Sequence, residues 1–147
     1  MDLKMFKNIA VAYITPTKKM DAFYHGLSLA KNYDSKLTLM EFFVKETPKL
    51  FFFETKKEKS IGKIRRTELQ DHLDKLKEKA EKRKIQINIH LESTESIVDS
   101  ILNYLTINKV DLLIVDHPHV SYLPESHYVD IINKIYRKIK CDMLTLK

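Results

Sequence analysis

The chain has 147 residues, a formal net charge of +6, one cysteine and only two glycines. A chain of this length buries roughly two thirds of the surface it would expose unfolded, so one domain spanning residues 1–147 needs neither disulfide nor metal for stability. Lone Cys141 excludes an intramolecular disulfide, and no apolar run approaches the roughly 18 residues needed to cross a bilayer. The N-terminal MDLKMFKNIAVAYI lacks the basic region, long apolar stretch and cleavage site of a secretion signal, so a cytoplasmic location is expected. The positive charge favours anionic partners in general and identifies none.

The first predicted element is a strand over Asn8–Ile14 (NIAVAYI), stopped by Pro16 between two threonines that can cap a helix. Between Met20 and Tyr33, the residues Phe23, Gly26, Leu27, Ala30 and Tyr33 fall at helical spacing, and Gly26 lets that helix lie close to a sheet. Turn residues 32–35 lead to a second strand, Leu37–Val44, which ends before Pro48. Residues 45–60 form the one long connection, with Leu50, Phe51, Phe52 and Phe53 set among lysines. From Ile61 to Arg83 a narrow stripe of Ile61, Ile64, Leu69, Leu73, Leu76 and Ala80 marks an amphipathic helix. Ile85, Ile87, Ile89 and Leu91 then alternate with polar residues, the pattern of an edge strand with one wetter face. Ser93 or Thr94 can cap a third helix buried through Ile97, Val98, Ile101, Leu102 and Leu105, with Glu95 at its positive end.

Val110–Asp130 (VDLLIVDHPHVSYLPESHYVD) is the stretch to which the rest answers. Its apolar run Val110–Val115 suits a parallel strand covered on both faces, and open parallel sheets bind ligands at the ends of such strands. A polar loop follows, then a helix carrying Tyr128, Ile131, Ile132, Ile135 and Ile139, with Ser126 as a cap and Lys138 and Lys140 in its last turn. Cys141–Leu146 reads as a final short strand. The alternation of strands and helices requires right-handed crossovers and a doubly wound α/β domain, with helices on both faces of a parallel sheet.

KNIAVAYIT, LTLMEFFV, VDLLIVDHPH and the closing KIYRKIKCDMLTLK together resemble the universal stress proteins over nearly the whole chain. The resemblance implies a five-stranded sheet in the order 3-2-1-4-5, a Rossmann-like fold of the adenine nucleotide alpha hydrolase-like kind. It also implies a homodimer formed through the C-terminal strand, whose apolar edge would otherwise be exposed. Nucleotide-binding members carry a glycine-rich phosphate motif, and its places fall here on Asp116, His119, Val129 and Asp130. The aspartate that ends the first strand in those members and helps hold the nucleoside is replaced by Ile14, beside Thr15. Side chains at the first two glycine places block backbone approach, and the carboxylates of Asp116 and Asp130 repel phosphate. Gly26 and Gly62 both lie in or near helices, so no other glycine loop is available. The expectation is a non-catalytic regulatory or stress-response protein with no cofactor and no ATP site of the family type. The alternative is a nucleotide-binding module with an altered loop, holding ATP or AMP on the positive end of the last helix with His117, His119 or His127.

Other chemistry is weaker. Asp116, His117, His119 and His127 are ordinary zinc or nickel ligands, which makes metal binding by the Asp116–His127 loop a second alternative, but their spacing matches no established closed site. Ser121 lacks a glycine-flanked elbow, Cys141 has no assignable partner, and Glu41 and Asp111 read as strand residues, so an enzyme is not expected. Lys56, Lys57, Lys59, Lys63, Arg65 and Arg66 beside Phe51–Phe53 would suit nucleic acid, but Glu54, Glu58 and Glu68 dilute the patch, and a solvated loop is the simpler reading. Leu50–Phe53 is too short an apolar run to anchor a membrane, which leaves an unidentified protein as the other partner.

Overall fold

The computed structural model describes residues 5–14, 20–44, 56–116 and 125–146, with backbone alone at 43–44, 56–65 and 125–127. Five strands, β1 (Asn8–Tyr13), β2 (Lys36–Val44), β3 (Ile87–Thr94), β4 (Leu112–Asp116) and β5 (Asp142–Leu146), alternate with α1 (Asp21–Tyr33), α2 (Lys56–Lys82), α3 (Ile97–Ile107) and α4 (Glu125–Lys138). The sheet is all parallel in the order β3-β2-β1-β4-β5.

Strand period explains how the two faces separate. Ile9, Val11 and Tyr13 point with Leu37, Leu39, Leu112 and Ile114 toward Phe23 and Leu27 of α1 and Leu73 and Leu76 of α2. Ala10, Ala12 and Ile14 point with Met40, Leu113 and Val115 toward Ile101 of α3 and Ile132 and Ile135 of α4. The continuous apolar runs of β1 and β4 follow, because both faces of those central strands are covered. At the edge, β3 has buried Ile87 but exposed Asn88, which agrees with its alternating sequence.

With so few glycines, three helices end on other residues in the left-handed region: Asp34, Lys84 and Lys109, with φ of 53°, 58° and 51°. Each closes its helix through a following amide: Ser35 donates to the Ala30 carbonyl, Ile85 to Ala80 and Val110 to Leu105. This turn moves the start of β3 from the expected Ile85 to Ile87, because Ile85 is used in ending α2. The strand also runs on to Thr94, following β2 as far as Val44. The cap of α3 is consequently Ser96, whose Oγ accepts from the Asp99 amide at 3.3 Å. Thr94, expected as a cap, instead accepts from the Ser96 amide at 3.1 Å and pairs with the Ser100 hydroxyl at 2.6 Å. Likewise α2 starts at Lys56 rather than Ile61, and α4 starts at Glu125, which puts Ser126 inside the helix rather than before it. Lys140 lies beyond α4, whose last-turn bases are Arg137 and Lys138.

Asp111 holds the other end of β1: its carboxylate accepts from the Lys7 amide at 2.9 Å and the Asn8 amide at 3.2 Å. Gly26 brings α1 against the central strands, since a β-carbon there would lie 2.7 Å from Val11 Cγ2 and 3.2 Å from Leu37 Cδ1. Val11 is fully buried and β-branched, so it has little freedom to yield. Alanine gains up to about 1 kcal/mol of helix propensity, while overpacking costs about 1–3 kcal/mol. Gly26→Ala is therefore expected to lower the unfolding free energy by about 1 kcal/mol in urea titrations, and the loss should shrink in a Val11→Ala background.

Candidate functional site

β1 leads to α1 on one face of the sheet and β4 leads to α4 on the other, so the chain diverges at the C-terminal ends of these strands, the place where open parallel sheets bind ligands in a crevice. Of the residues expected at this place, Ile14 follows β1 and is 8% exposed, packed into the α3/α4 face. Asp116 is the half-buried last residue of β4. Val129 is half-buried and Asp130 exposed on α4; the Asp130 carboxylate meets Lys134 Nζ at 3.0 Å along the helix, and that ion pair and the surrounding solvent screen its charge. Thr15, His117 and His119 lie outside the described residues, as do Ser121, Leu50–Phe53 and the side chains of His127 and of residues 56–65.

Two groups that sequence reading did not assign to this place, Tyr13 and Glu41, also lie at the strand ends. Register pairs Tyr13 with Glu41 on β2. On the other side Ala12 pairs with Val115, so the next residues, Tyr13 and Asp116, lie level. Glu41 in turn pairs with Leu91, and Asp116 with Leu146. One row, Leu91–Glu41–Tyr13–Asp116–Leu146, thus crosses all five strands at their C-terminal ends on the α1/α2 face. Tyr13 is 3% and Glu41 5% exposed. Among the described residues the Tyr13 hydroxyl has no hydrogen-bond partner, and its ring stands edge-on to His72 of α2, with centroids 6.1 Å apart. Burial first, then the charges of Asp116 and Glu41, push the Tyr13 phenol far above its ordinary value of 10.0. Burial, then Lys75 and Lys79, hold the His72 imidazole below its ordinary value, which disfavours its cationic form.

The signal for this row was present in the alternation of β2: Leu37 and Leu39 point inward, and two residues on the same face presents a carboxylate. Glu41 and Asp111 lie at opposite ends of the sheet, so they form no acid/base pair. Among the described residues no group of three or more histidine, cysteine, aspartate or glutamate side chains could hold a metal ion. Cys141 is half-buried against the α3/α4 cluster, and burial pushes its thiol up, away from the thiolate a nucleophile needs. A groove of about 620 Å³ runs along the free edge of β3 between Arg66, Lys77 and Tyr104, but Tyr13, Glu41 and Asp116 do not line it.

A parallel sheet in this order, with its crevice between β1 and β4, defines a doubly wound domain of the adenine nucleotide alpha hydrolase-like fold. The chain belongs to the universal stress protein family, whose model matches residues 5–147. Solved structures agree in fold at low identity. A universal stress family protein from Burkholderia pseudomallei is 14% identical, with a TM-score of 0.74 over 99% of this chain and 98% of that one. The Archaeoglobus fulgidus protein in complex with dAMP is 9% identical, with a TM-score of 0.65 over 98% and 100%. An Arabidopsis thaliana family protein with AMP bound is 14% identical, with a TM-score of 0.62 over 96% and 91%. No curated protein sequence matches significantly. No helix among the described residues is long and apolar enough to cross a membrane.

The raised phenol has a pH consequence. Above about pH 10 the unfolded chain releases the Tyr13 proton while the folded chain keeps it, so stability tied to this group is complete below that pH and falls as pH rises. Tyr13→Phe should flatten that alkaline decline. Below pH 10 the same variant should be about 1 kcal/mol more stable, because it deletes a buried hydroxyl that has no partner among the described residues. Denaturant unfolding of both proteins across this range checks both signs.

Proposed function

We propose that this chain is a non-catalytic universal stress protein, a cytoplasmic regulatory or stress-response protein that does not hold ATP in the manner of its nucleotide-binding relatives. One observation supports the reading: Asp116, which the resemblance sets at the place of the first phosphate-motif glycine, ends β4 in a row with Tyr13 and Glu41. A phosphate at this strand end would meet negative charge in a partly desolvated setting, where repulsion is stronger than in water. The disfavoured thiolate of Cys141 supports a binding role over nucleophilic chemistry at that residue.

The dAMP and AMP complexes of the Archaeoglobus and Arabidopsis proteins favour a second reading, in which this crevice takes a nucleotide through an altered loop. Calorimetric titration separates the two: ATP and AMP are expected to give no saturable heat at micromolar protein, and a saturating isotherm would establish the second reading instead.

The functional unit is a homodimer through β5. This strand is an edge with half-buried Met143, Leu144 and Leu146, the kind of apolar edge that a second strand covers. Light scattering is expected to give twice the chain mass for the native protein and a monomer for Leu144→Lys; a native monomer would contradict the assignment.

A further inference from the structure

We propose that the free edge of β3 is a docking site for an extended, acidic segment of a partner protein, which joins the sheet as a further strand. The edge lies apart from the row of Tyr13, Glu41 and Asp116, so the proposal is independent of whether nucleotide enters there.

The backbone supplies the first argument. β3 ends the sheet and pairs with β2 alone among the described residues. The Leu37 amide donates to the Gln86 carbonyl at 3.0 Å, which fixes the phase of the parallel ladder. Asn88, His90 and Glu92 therefore turn their peptide groups toward β2, and Ile87, Ile89 and Leu91 turn theirs outward. Along this rim N–H and C=O groups recur at every second residue, a pattern that another polypeptide strand matches and a nucleotide or metal ion does not.

The edge also lacks the features that discourage such pairing. Its sequence, INIHLEST, has no proline or lysine, and its register with β2 is unbroken from Leu37 and Ile87 to Val44 and Thr94, so no bulge twists it away. The groove of about 620 Å³ beside it is bordered by α2 on one face of the sheet and by Tyr104 of α3 on the other.

Side chains on the two faces select the partner. Strand period sends half of an added strand's side chains toward α2 and half toward α3. Toward α2 they meet Arg66 and Lys77, while Gln70 and Asp74 between these are hydrogen-bonded to each other at 3.0 Å. Arg66 is exposed; Lys77 reaches Glu81 at 3.9 Å, an exposed pair of the kind that contributes little and leaves the ammonium further donors. Helix rise sets Arg66 and Lys77 roughly 16 Å apart, and their long side chains can meet two carboxylates about 13 Å apart at positions i and i+4 of a strand. Toward α3 the added side chains meet the rings of His90 and Tyr104, whose centroids are 4.6 Å apart, a surface suited to β-branched residues. The net charge of +6 draws an acidic segment in the same sense.

The test is fluorescence anisotropy of the full chain at low ionic strength with a labelled, amidated heptapeptide, TEVTVET, whose glutamates stand at i and i+4. Saturable binding is expected, weakened about tenfold or more in Arg66→Glu and in Lys77→Glu. A version with lysine in place of both glutamates, and a version N-methylated throughout, which keeps the charges and loses the amide donors, are both expected not to bind. These two peptides need no variant protein, so the test holds even if a substitution disturbs folding. No saturable binding, equal binding of either control peptide, or indifference to both substitutions would overturn the inference. A native particle larger than a dimer that Arg66→Glu reduces in size would give the edge to a second copy of this chain and overturn it as well. None of these outcomes bears on the ATP titration, so the preceding reading stands or falls separately.

Discussion

The register of β1 between β2 and β4 is the constraint on which this molecule's chemistry depends. Pairing of Tyr13 with Glu41, and of Ala12 with Val115, fixes which side chains share the ends of the central strands. A slip of one residue would send Tyr13 to the α3/α4 face and replace it with an aliphatic neighbour. The register is enforced from below, where Asp111 grips the Lys7 and Asn8 amides, and from the side, where Gly26 admits α1 against Val11. The Ser35 hydroxyl adds a further tie by donating to the Phe6 carbonyl. Features far from the crevice thus determine its electrostatics.

The strand ends of this family fold carry two acidic residues, Glu41 and Asp116, on either side of Tyr13. The crossovers deliver the positive ends of α1 and α4 to the same end of the sheet, an arrangement suited to phosphate. Asp21 in the first turn of α1 reduces that advantage, and on the proposed reading the row beneath opposes it further. Asp130, by contrast, contributes less to the repulsion than its place in the motif implies, because it is exposed and engaged by Lys134. Asp116, by comparison, is half-buried at the end of β4.

Sequence reading recovered the framework because the framework is written in apolar periodicity. The run Val110–Val115 and the helical repeat from Tyr128 to Ile135 each admit one interpretation, and the strand order followed by resemblance. Boundaries moved where local backbone chemistry intervened, as when the left-handed Lys84 carried Ile85 into the end of α2. Of the positions singled out from sequence, Asp116 ends β4 and Ile14 directly follows β1. Tyr13 and Glu41 were missed because their significance is relational. An inward glutamate in β2 becomes informative only when the neighbouring strand sets a buried tyrosine beside it, and register between distant segments is not encoded in either segment alone.

The central proposal is that the row of Glu41, Tyr13 and Asp116 keeps nucleotide away from the ends of β1 and β4. Its most direct test is a crystal structure of the protein grown with excess ATP and magnesium. The account predicts no purine between the ends of β1 and β4, with Tyr13 still level with Glu41 and Asp116. An ordered nucleotide seated there, its phosphates against the turn that follows Asp116, would contradict it.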